Sequence, residues 1–502
     1  MSFLGIDLGT SSVKIILINE KGDLLGEESR GYSVDYPKIN WAEQNPEDWW
    51  KATKDCIKNL MEKGCCKKDT VKAIGFSGQM HGLVALDEND QVLHPAILWC
   101  DQRTQEECHE ITNYFGQEKL TQYTGNKALT GFTAPKILWL KKHKPKLYEK
   151  IAHILLPKDY IRLKLTGEYA TDVSDASGML LLDVKKRNWS KEMLEFLQMK
   201  ESVLPKLYES YEITGYLTEG IKNILGLKGE IAVVGGAGDQ AAGAIGTGTV
   251  KEGIASVTLG TSGVVFASHN EYRVDKENRL HAFCHANGKY HSMGVMLSAA
   301  SCLKWWVEEI HKGVAFEELL TEAENSPIGS KGLIFLPYLM GERTPYADPN
   351  AKGVFIGLTM SHSRGDMTRA ILEGVAFGLR DSFQILKELK IPVEDIRAIG
   401  GGAQSNLWMD ILTNVFDQKI STLYTDQGGA LGAAILASVG NGTFDTVENA
   451  CSKLIHVKKT YVPNKEKVYA YIQYYKMYHQ LYDVLKASFD QLAHVQKSLY
   501  FI

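Results

Sequence analysis

A chain of 502 residues is too long for one hydrophobic core, so two large domains are expected. Hydrophobic residues at 44% and charged residues at 23% are typical of a soluble globular protein, and no apolar run reaches the roughly 18 residues that a membrane-crossing helix needs. A formal net charge of −4 excludes a general affinity for nucleic acid or anionic membrane, so small anionic ligands must be held by specific sites.

The first residues, Met-Ser-Phe-Leu-Gly-Ile-Asp, lack a basic region and carry an acid inside the apolar stretch, so no secretory leader is expected and the cytoplasm is the expected location. The eight cysteines form no C-x-x-C pair and read as reduced thiols. Leu4–Asp7 and Val13–Ile18 read as strands joined by a Gly9-Thr10-Ser11 turn, with a third strand after residues 21–25. Helical spacing over 46–63, opened by Pro46, predicts a helix, and 71–76 returns to strand. This order differs from strict βαβ alternation. Residues of about 101–229 read as an insertion that shapes the first domain's side of a cleft, with helical pieces at 159–167 and 189–197.

Ile231–Val234 is a buried strand running into Gly-Gly-Ala-Gly-Asp-Gln, and a helix can begin by Ala241. Asp239 is the only charged residue there, and the glycines let it reach a ligand, which points to a general base; an ordinary helix cap is the plainer alternative. The segment also matches a dinucleotide fingerprint, but no carboxylate ends the next strand about 20 residues on. Residues 254–267 repeat the strand, Gly-Thr-Ser turn, strand pattern. The tetrapeptide Leu-Gly-Thr-Ser occurs at 8–11 and 259–262, an offset of 251 residues, which is half the chain. Two copies of one α/β domain facing each other across a cleft are therefore expected, divided as 1–246 and 247–502.

His281, Cys284, His285 and His291 have metal-ligand side chains, but the segment alternates like two strands around Asn287-Gly288-Lys289, which favours packed strand residues over zinc ligands. Helices are expected over 296–310, 368–389, from 407, and over 468–492, where tyrosines recur at helical spacing and point to packing within the domain. Ala398–Ala403 reads as a strand ending in a glycine turn.

Three glycine turns at strand ends suit a nucleoside triphosphate. Gly9, Thr10 and Ser11, with Lys14 nearby, and Gly260, Thr261 and Ser262 from the other domain offer donors to phosphate, while Gly400–Gly402 leaves room for base and ribose. No Walker A loop or H-R-D kinase loop exists. Asp7 is placed to hold Mg²⁺ through water. A triphosphate between two lobes with one carboxylate at their junction describes phosphoryl transfer to an alcohol, with Asp239 taking the hydroxyl proton. Gln79, Met80 and His81, between Gly78 and Gly82, supply planar polar groups and an apolar surface for a sugar, and Trp99 with Asp101 and Arg103 adds a less specific pair of the same kind.

These motifs, together with Trp41-Ala-Glu-Gln-Asn-Pro46, Gly131–Trp139, Leu156–Tyr160, Asp172–Gly178, Gly341-Glu-Arg-Thr-Pro345 and Gly353–Glu373, cover the chain nearly end to end. They resemble the FGGY carbohydrate kinases of the actin-like ATPase superfamily, and most of all the members acting on xylulose. The resemblance implies two RNase H-like domains and ATP- and Mg²⁺-dependent phosphorylation of D-xylulose at its 5-hydroxyl. It implies Asp239 as proton acceptor, Met80 and His81 at the sugar, and Asp7 near magnesium. It puts Gly9, Thr10, Ser11, Lys14, Gly260, Thr261, Gly402 and Asn406 at the nucleotide, and makes a homodimer an expectation. Gln240 and Lys14 depart from the family pattern and leave room for another ketose, polyol or sugar acid, such as ribulose, ribitol, gluconate or glycerol. An actin-like or chaperone-like ATPase is the reading from another class; it leaves Gln79–His81 without a role.

Overall fold

The computed structural model describes residues 1–67, 69–425 and 427–500. The hairpin read at the start of the chain forms β1 (Ser2–Leu8) and β2 (Ser12–Asn19), and β3 (Leu24–Gly31) adds antiparallel to β2. On the other side β4 (Val71–Gly78) lies parallel to β1. The edge is completed by β5 (Ile213–Tyr216), antiparallel to β6 (Ala232–Val234), which is itself parallel to β4. The second half repeats this arrangement. β7 (Gly253–Leu259), β8 (Gly263–His269) and β10 (Tyr290–Met296) are successively antiparallel, with β9 (His281–Cys284) added at that edge. β11 (Val393–Ile399) and β12 (Lys419–Leu423) follow in parallel, and β13 (Val457–Tyr461) closes antiparallel. The half-chain offset is therefore a repeat of strand order. The two turns differ in length: Leu8 pairs with Val13 across residues 9–12, whereas Leu259 pairs with Gly263 across 260–262.

β1 is buried along nearly its whole length because both faces of its sheet are covered. Leu4, Ile6, Val13, Ile15 and Leu17 pack on α1 (Pro46–Glu62) and α2 (Pro157–Thr166). α1 starts where Asn45 accepts from the Glu47 N–H and Pro46 takes the first position, with Glu47 and Asp48 in the first turn. Phe3, Ile16, Ile18 and Ala73 face the other way, onto α3 (Asp239–Gly246) and a helix from the far half of the chain. The second sheet buries Ala255, Val257 and Leu259 against α4 (Arg364–Glu388), α5 (Asn406–Phe416) and the terminal helix.

The helix from the far half is α6 (Gly428–Gly440), rich in glycine and alanine. A Cβ on Gly5 would lie 2.0 Å from the Ala430 carbonyl oxygen, one on Gly75 2.0 Å from that of Ala433, and one on Gly432 1.8 Å from that of Ala242. Backbone therefore meets backbone between α6, the first sheet and α3, and the two halves interlock at this point. The insertion also joins them: Phe132, Ile137 and Met179 share a core with Val264, Phe266 and Phe283 of the second sheet.

Some boundaries differ from those expected. Met296 ends β10, and the helix expected from there begins at Ala300. Trp189 pairs with Leu182, leaving a helix only over Lys191–Leu197. The last helix, α7 (Lys465–Tyr500), is longer than its apolar stripe. Three of its tyrosines turn inward and their hydroxyls reach acids: Tyr471 to Glu373 at 3.0 Å, Tyr475 to Asp381 at 2.7 Å and Tyr482 to Asp348 at 2.8 Å. His285 is bonded to the Thr249 carbonyl at 2.9 Å, His291 stacks on Phe266 at 4.1 Å, and Cys284 approaches the Val184 carbonyl, so these side chains diverge into the core. Among the described residues no helix is long and apolar enough to cross a membrane.

The α6 contact has a direct test. Gly432→Ala drives a methyl into the Ala242 carbonyl, and overpacking of this kind costs about 1–3 kcal/mol. Urea unfolding monitored by circular dichroism is expected to show that loss, and an unchanged midpoint would mean that the helices do not touch.

Candidate active site

Asp7 closes β1, opposite Lys14 on β2 and Ser77 on β4. Ser77 Oγ donates to Asp7 Oδ1 at 2.6 Å, and the start of α6 presses close, since a Cβ on Gly429 would lie 3.0 Å from the same oxygen. Burial pushes the Asp7 carboxyl up, opposed by Ser77 and Lys14. Asp239 is the first residue of α3, whose cap is Gly238, so the carboxylate is not used as the helix cap. It keeps a solvent-accessible edge, yet the surrounding protein raises it to about 7, with burial the larger cause and the charge of Asp7 the next. A carboxyl in that range is poised to accept a proton near neutral pH.

Gly238 lets this loop lie against Met80: a Cβ there would be 2.9 Å from the Met80 sulfur. Met80 is buried beside Gly178, and the next residue, His81, adopts φ 69°. Its conformation is held from several sides. Thr133 Oγ1 and Lys136 Nζ both donate to the His81 carbonyl, at 3.0 and 2.9 Å, and the ring Nδ1 lies 2.6 Å from the Gly178 carbonyl oxygen. A carbonyl only accepts, so Nδ1 carries the proton and Nε2 is left as an acceptor. Burial, reinforced by Lys136, lowers the imidazole to about 3 and keeps it neutral. Gln79 points elsewhere: its Nε2 donates to Gln44 at 3.1 Å, and Gln44 donates to the Thr10 carbonyl at 2.7 Å, so its amide lies beneath the first turn. Asp101 and Arg103 pair with each other at 2.7 Å, both sealed from solvent, and Arg103 covers Trp41, which makes this pair internal packing and not a cleft wall.

The first turn is fixed by Gly9 N–H on the Ser12 carbonyl at 2.9 Å and by Trp99 Nε1 on Thr10 Oγ1 at 2.9 Å. Ser11 is exposed and Lys14 half-exposed, 3.8 Å from Glu27. The second turn is tied to the helix that follows β10, with Ala300 N–H on the Gly260 carbonyl at 2.9 Å and Ser301 Oγ on that of Thr261 at 2.7 Å. Gly260, Thr261, Gly402, Ala300 and Trp408 line one cavity of about 600 Å³. Asn406 opens onto a neighbouring cavity of about 700 Å³ across Gly401, where its Oδ1 accepts from Lys459 at 2.8 Å and Tyr461 at 2.6 Å.

Behind the loop that carries Asp239 lies a sealed ionic group that sequence reasoning did not assign. Lys158 Nζ is 2.7 Å from Asp159, 2.9 Å from Asp172 and 3.2 Å from Asp175, all without solvent exposure. Burial opposes the ammonium charge, but the three acids outweigh it and hold Lys158 protonated. Ser174, bonded to Asp172, accepts from the Gly238 N–H at 3.3 Å and so anchors the loop that carries Asp239.

Comparison with known proteins places this geometry. The model of the FGGY family of carbohydrate kinases, N-terminal domain, matches residues 2–246, and that of the C-terminal domain matches 255–440. The chain belongs to the FGGY family of carbohydrate kinases. Within the family it is 41% identical to a xylulose kinase of Lactococcus lactis subsp. lactis (strain IL1403) over 95% of this chain and 96% of that one. A crystal structure of a xyloylose kinase from Brucella ovis superposes with TM-score 0.92 at 39% identity, over 97% of this chain and 100% of that one. A gluconate kinase from Lactobacillus acidophilus gives TM-score 0.93 at 28% identity, over 98% and 99%. This FGGY kinase is an ATP-dependent sugar kinase. Its Lys158 group lies within the Leu156–Tyr160 and Asp172–Gly178 motifs, a signal visible in sequence but not interpretable without the contact.

Removing the ammonium leaves the buried carboxyl groups of Asp159, Asp172 and Asp175 without the partner they share. Lys158→Met is expected to cost about 3–5 kcal/mol in chemical unfolding, the scale for breaking a buried ion pair; a loss below about 1 kcal/mol would mean the group is not coupled in the folded protein.

Proposed function

We propose that the chain transfers the ATP γ-phosphate to the 5-hydroxyl of D-xylulose, with Asp239 as general base. The observation that carries this reading is a single carboxylate, raised to about 7, on the first turn of a helix that joins the acceptor side of the cleft to the nucleotide side. The xylulose kinases among the relatives support the choice of sugar. In the same proposal residues 1–246 carry the sugar and 247–502 the nucleotide.

Asp239 takes the hydroxyl proton as the oxygen attacks, and the neutral His81 Nε2 accepts a hydrogen bond from a second hydroxyl and so orients the sugar. Met80 lies along the apolar face of the sugar. Gly9, Thr10 and Ser11 donate to phosphate oxygens from one side and Gly260 and Thr261 from the other, with Lys14 adding charge. Gly402 gives the nucleoside a backbone wall, and Asn406, its oxygen already held by Lys459 and Tyr461, has its amide N–H groups free to donate. Gln79 acts on the sugar only through the turn that it supports. Asp7 makes no ion pair among the described residues and faces a second carboxylate, which fits a water-bridged divalent cation. Magnesium bound there would neutralise phosphate charge.

Asp239 works only when deprotonated, so its activity is lost as pH falls. The pH profile of kcat/KM for D-xylulose is expected to rise with unit slope to about pH 7 and then level, and Asp239→Asn to lower kcat about 10²–10⁴-fold while leaving ATP binding intact. A flat profile between pH 5 and 8, or near-normal turnover by the variant, would remove Asp239 from the mechanism. His81→Ala is expected to raise KM for the sugar more than KM for ATP; equal changes in steady-state kinetics would place His81 away from the acceptor.

A further inference from the structure

The first turn is folded with its carbonyl oxygens inward. Tyr32 covers two of them, donating through its hydroxyl to the Gly9 carbonyl and through its N–H to that of Ser11, at 2.5 and 3.0 Å. Gln44 donates to the Thr10 carbonyl at 2.7 Å. In a planar trans peptide the N–H points opposite to the C=O, so tying the Gly9 and Thr10 carbonyls inward turns the N–H groups of Thr10 and Ser11 outward. Those two N–H groups have no partner among the described residues. Thr10 Oγ1 accepts from Trp99 and keeps its own proton to donate.

Gln44 links this turn to the acceptor side. It is buried immediately before Asn45, the cap of α1. Its Nε2 donates to the carbonyls of Thr10 and Ser33 at 2.7 and 3.0 Å, and its Oε1 accepts from Trp49 Nε1 and Gln79 Nε2, each at 3.1 Å. Both donors and both lone pairs of the amide are therefore engaged. Carbonyls only accept and an indole N–H only donates, so the orientation of Gln44 is fixed and Gln79 has to present its NH₂ group. That bond is the one that holds the Gln79 side chain among the described residues, since Gln79 Oε1 is buried without a partner. The Gln79 backbone N–H donates to the Leu8 carbonyl at 2.8 Å. Gln79 thus grips the turn on both sides of Gly9, at Leu8 directly and at Thr10 through Gln44, and the next two residues in chain are Met80 and His81.

We propose that Gln44 is a positioning residue through which acceptor binding orders the first turn. A sugar seated against Met80 and His81 fixes Gln79, and the two amides in series then hold the Thr10 carbonyl inward and the Ser11 N–H toward a phosphate. Sugar and nucleotide accordingly bind more tightly together than apart. This rests on the reading of Met80 and His81 as the acceptor wall and of residues 9–11 as a phosphate turn. Amides that served packing alone would stabilise the fold and leave the two affinities independent of each other.

Calorimetry on the full-length protein measures the coupling as the ratio of the dissociation constants of a non-hydrolysable ATP analogue without and with saturating D-xylulose. The wild type is expected to give a ratio of about fivefold or more. Gln79→Met matches the side chain in length and breaks only the link to Gln44, whose oxygen keeps the Trp49 N–H; it is expected to bring the ratio to within about twofold of unity. Gln44→Met is expected to do the same and also to weaken binding of the analogue alone. The double variant is expected to lose no further coupling, because both amides belong to one chain of bonds. A ratio of one in the wild type, or the wild-type ratio in either single variant, would overturn the role of Gln44. D-Xylulose turnover measured on the same preparations separates the two readings: turnover with a ratio of one overturns the coupling alone, and coupling without turnover overturns the proposed function alone.

Discussion

The contact on which the rest of the structure depends is the side-chain-free packing of α6 against the first sheet and α3. By chain position α6 belongs to the second half, yet it covers the face of β1 and β4 that would otherwise expose Phe3 and Ala73. Gly5, Gly75 and Gly432 permit the approach, and any larger residue meets a carbonyl oxygen. Two candidate site positions follow from it. The start of α6 comes to rest on Asp7 and Ser77, and its crossing with α3 fixes the helix whose first residue is Asp239.

Electrostatics then divides the cleft. Near the crossing two carboxylates face each other and raise the one that is free to take a proton. Further along, His81 is kept neutral, and its Nε2 is left as a hydrogen-bond acceptor. Behind the loop, the Lys158 group is fully buried and internally compensated, which suits an anchor better than a catalyst. Near the crossing, charge is found at Lys14 beside the first turn and at Asp7 with Asp239.

What sequence alone revealed tracks the range of the interactions. The hairpins, their glycine turns and the half-chain repeat are local patterns, and the second strand order follows the first. Asp239 stood out because it is the only charge between a buried strand and a helix. The α6 contact joins residues 190 to 425 positions apart, from Gly432 with Ala242 to Gly5 with Ala430, and a glycine that meets backbone looks the same in sequence as one that turns a loop. Gln79 adjoins Met80 and His81 in sequence, but its amide donates to Gln44, which in turn donates to the Thr10 carbonyl of the first turn, a contact that no local pattern reveals. The expected helix from Met296 failed for a related reason: an apolar run that ends a strand and one that opens a helix share the same residues until the hydrogen bonds of β10 decide.

In the proposed mechanism the interlocked crossing sets Asp239 at the acceptor hydroxyl. A crystal structure with a non-hydrolysable ATP analogue and D-xylulose tests it directly. The predicted result has the 5-hydroxyl within about 2.6–3.2 Å of the Asp239 carboxylate with the α3–α6 contact unchanged. A hydroxyl pointing away from Asp239, or an α6 lifted off the first sheet in the closed complex, would contradict it.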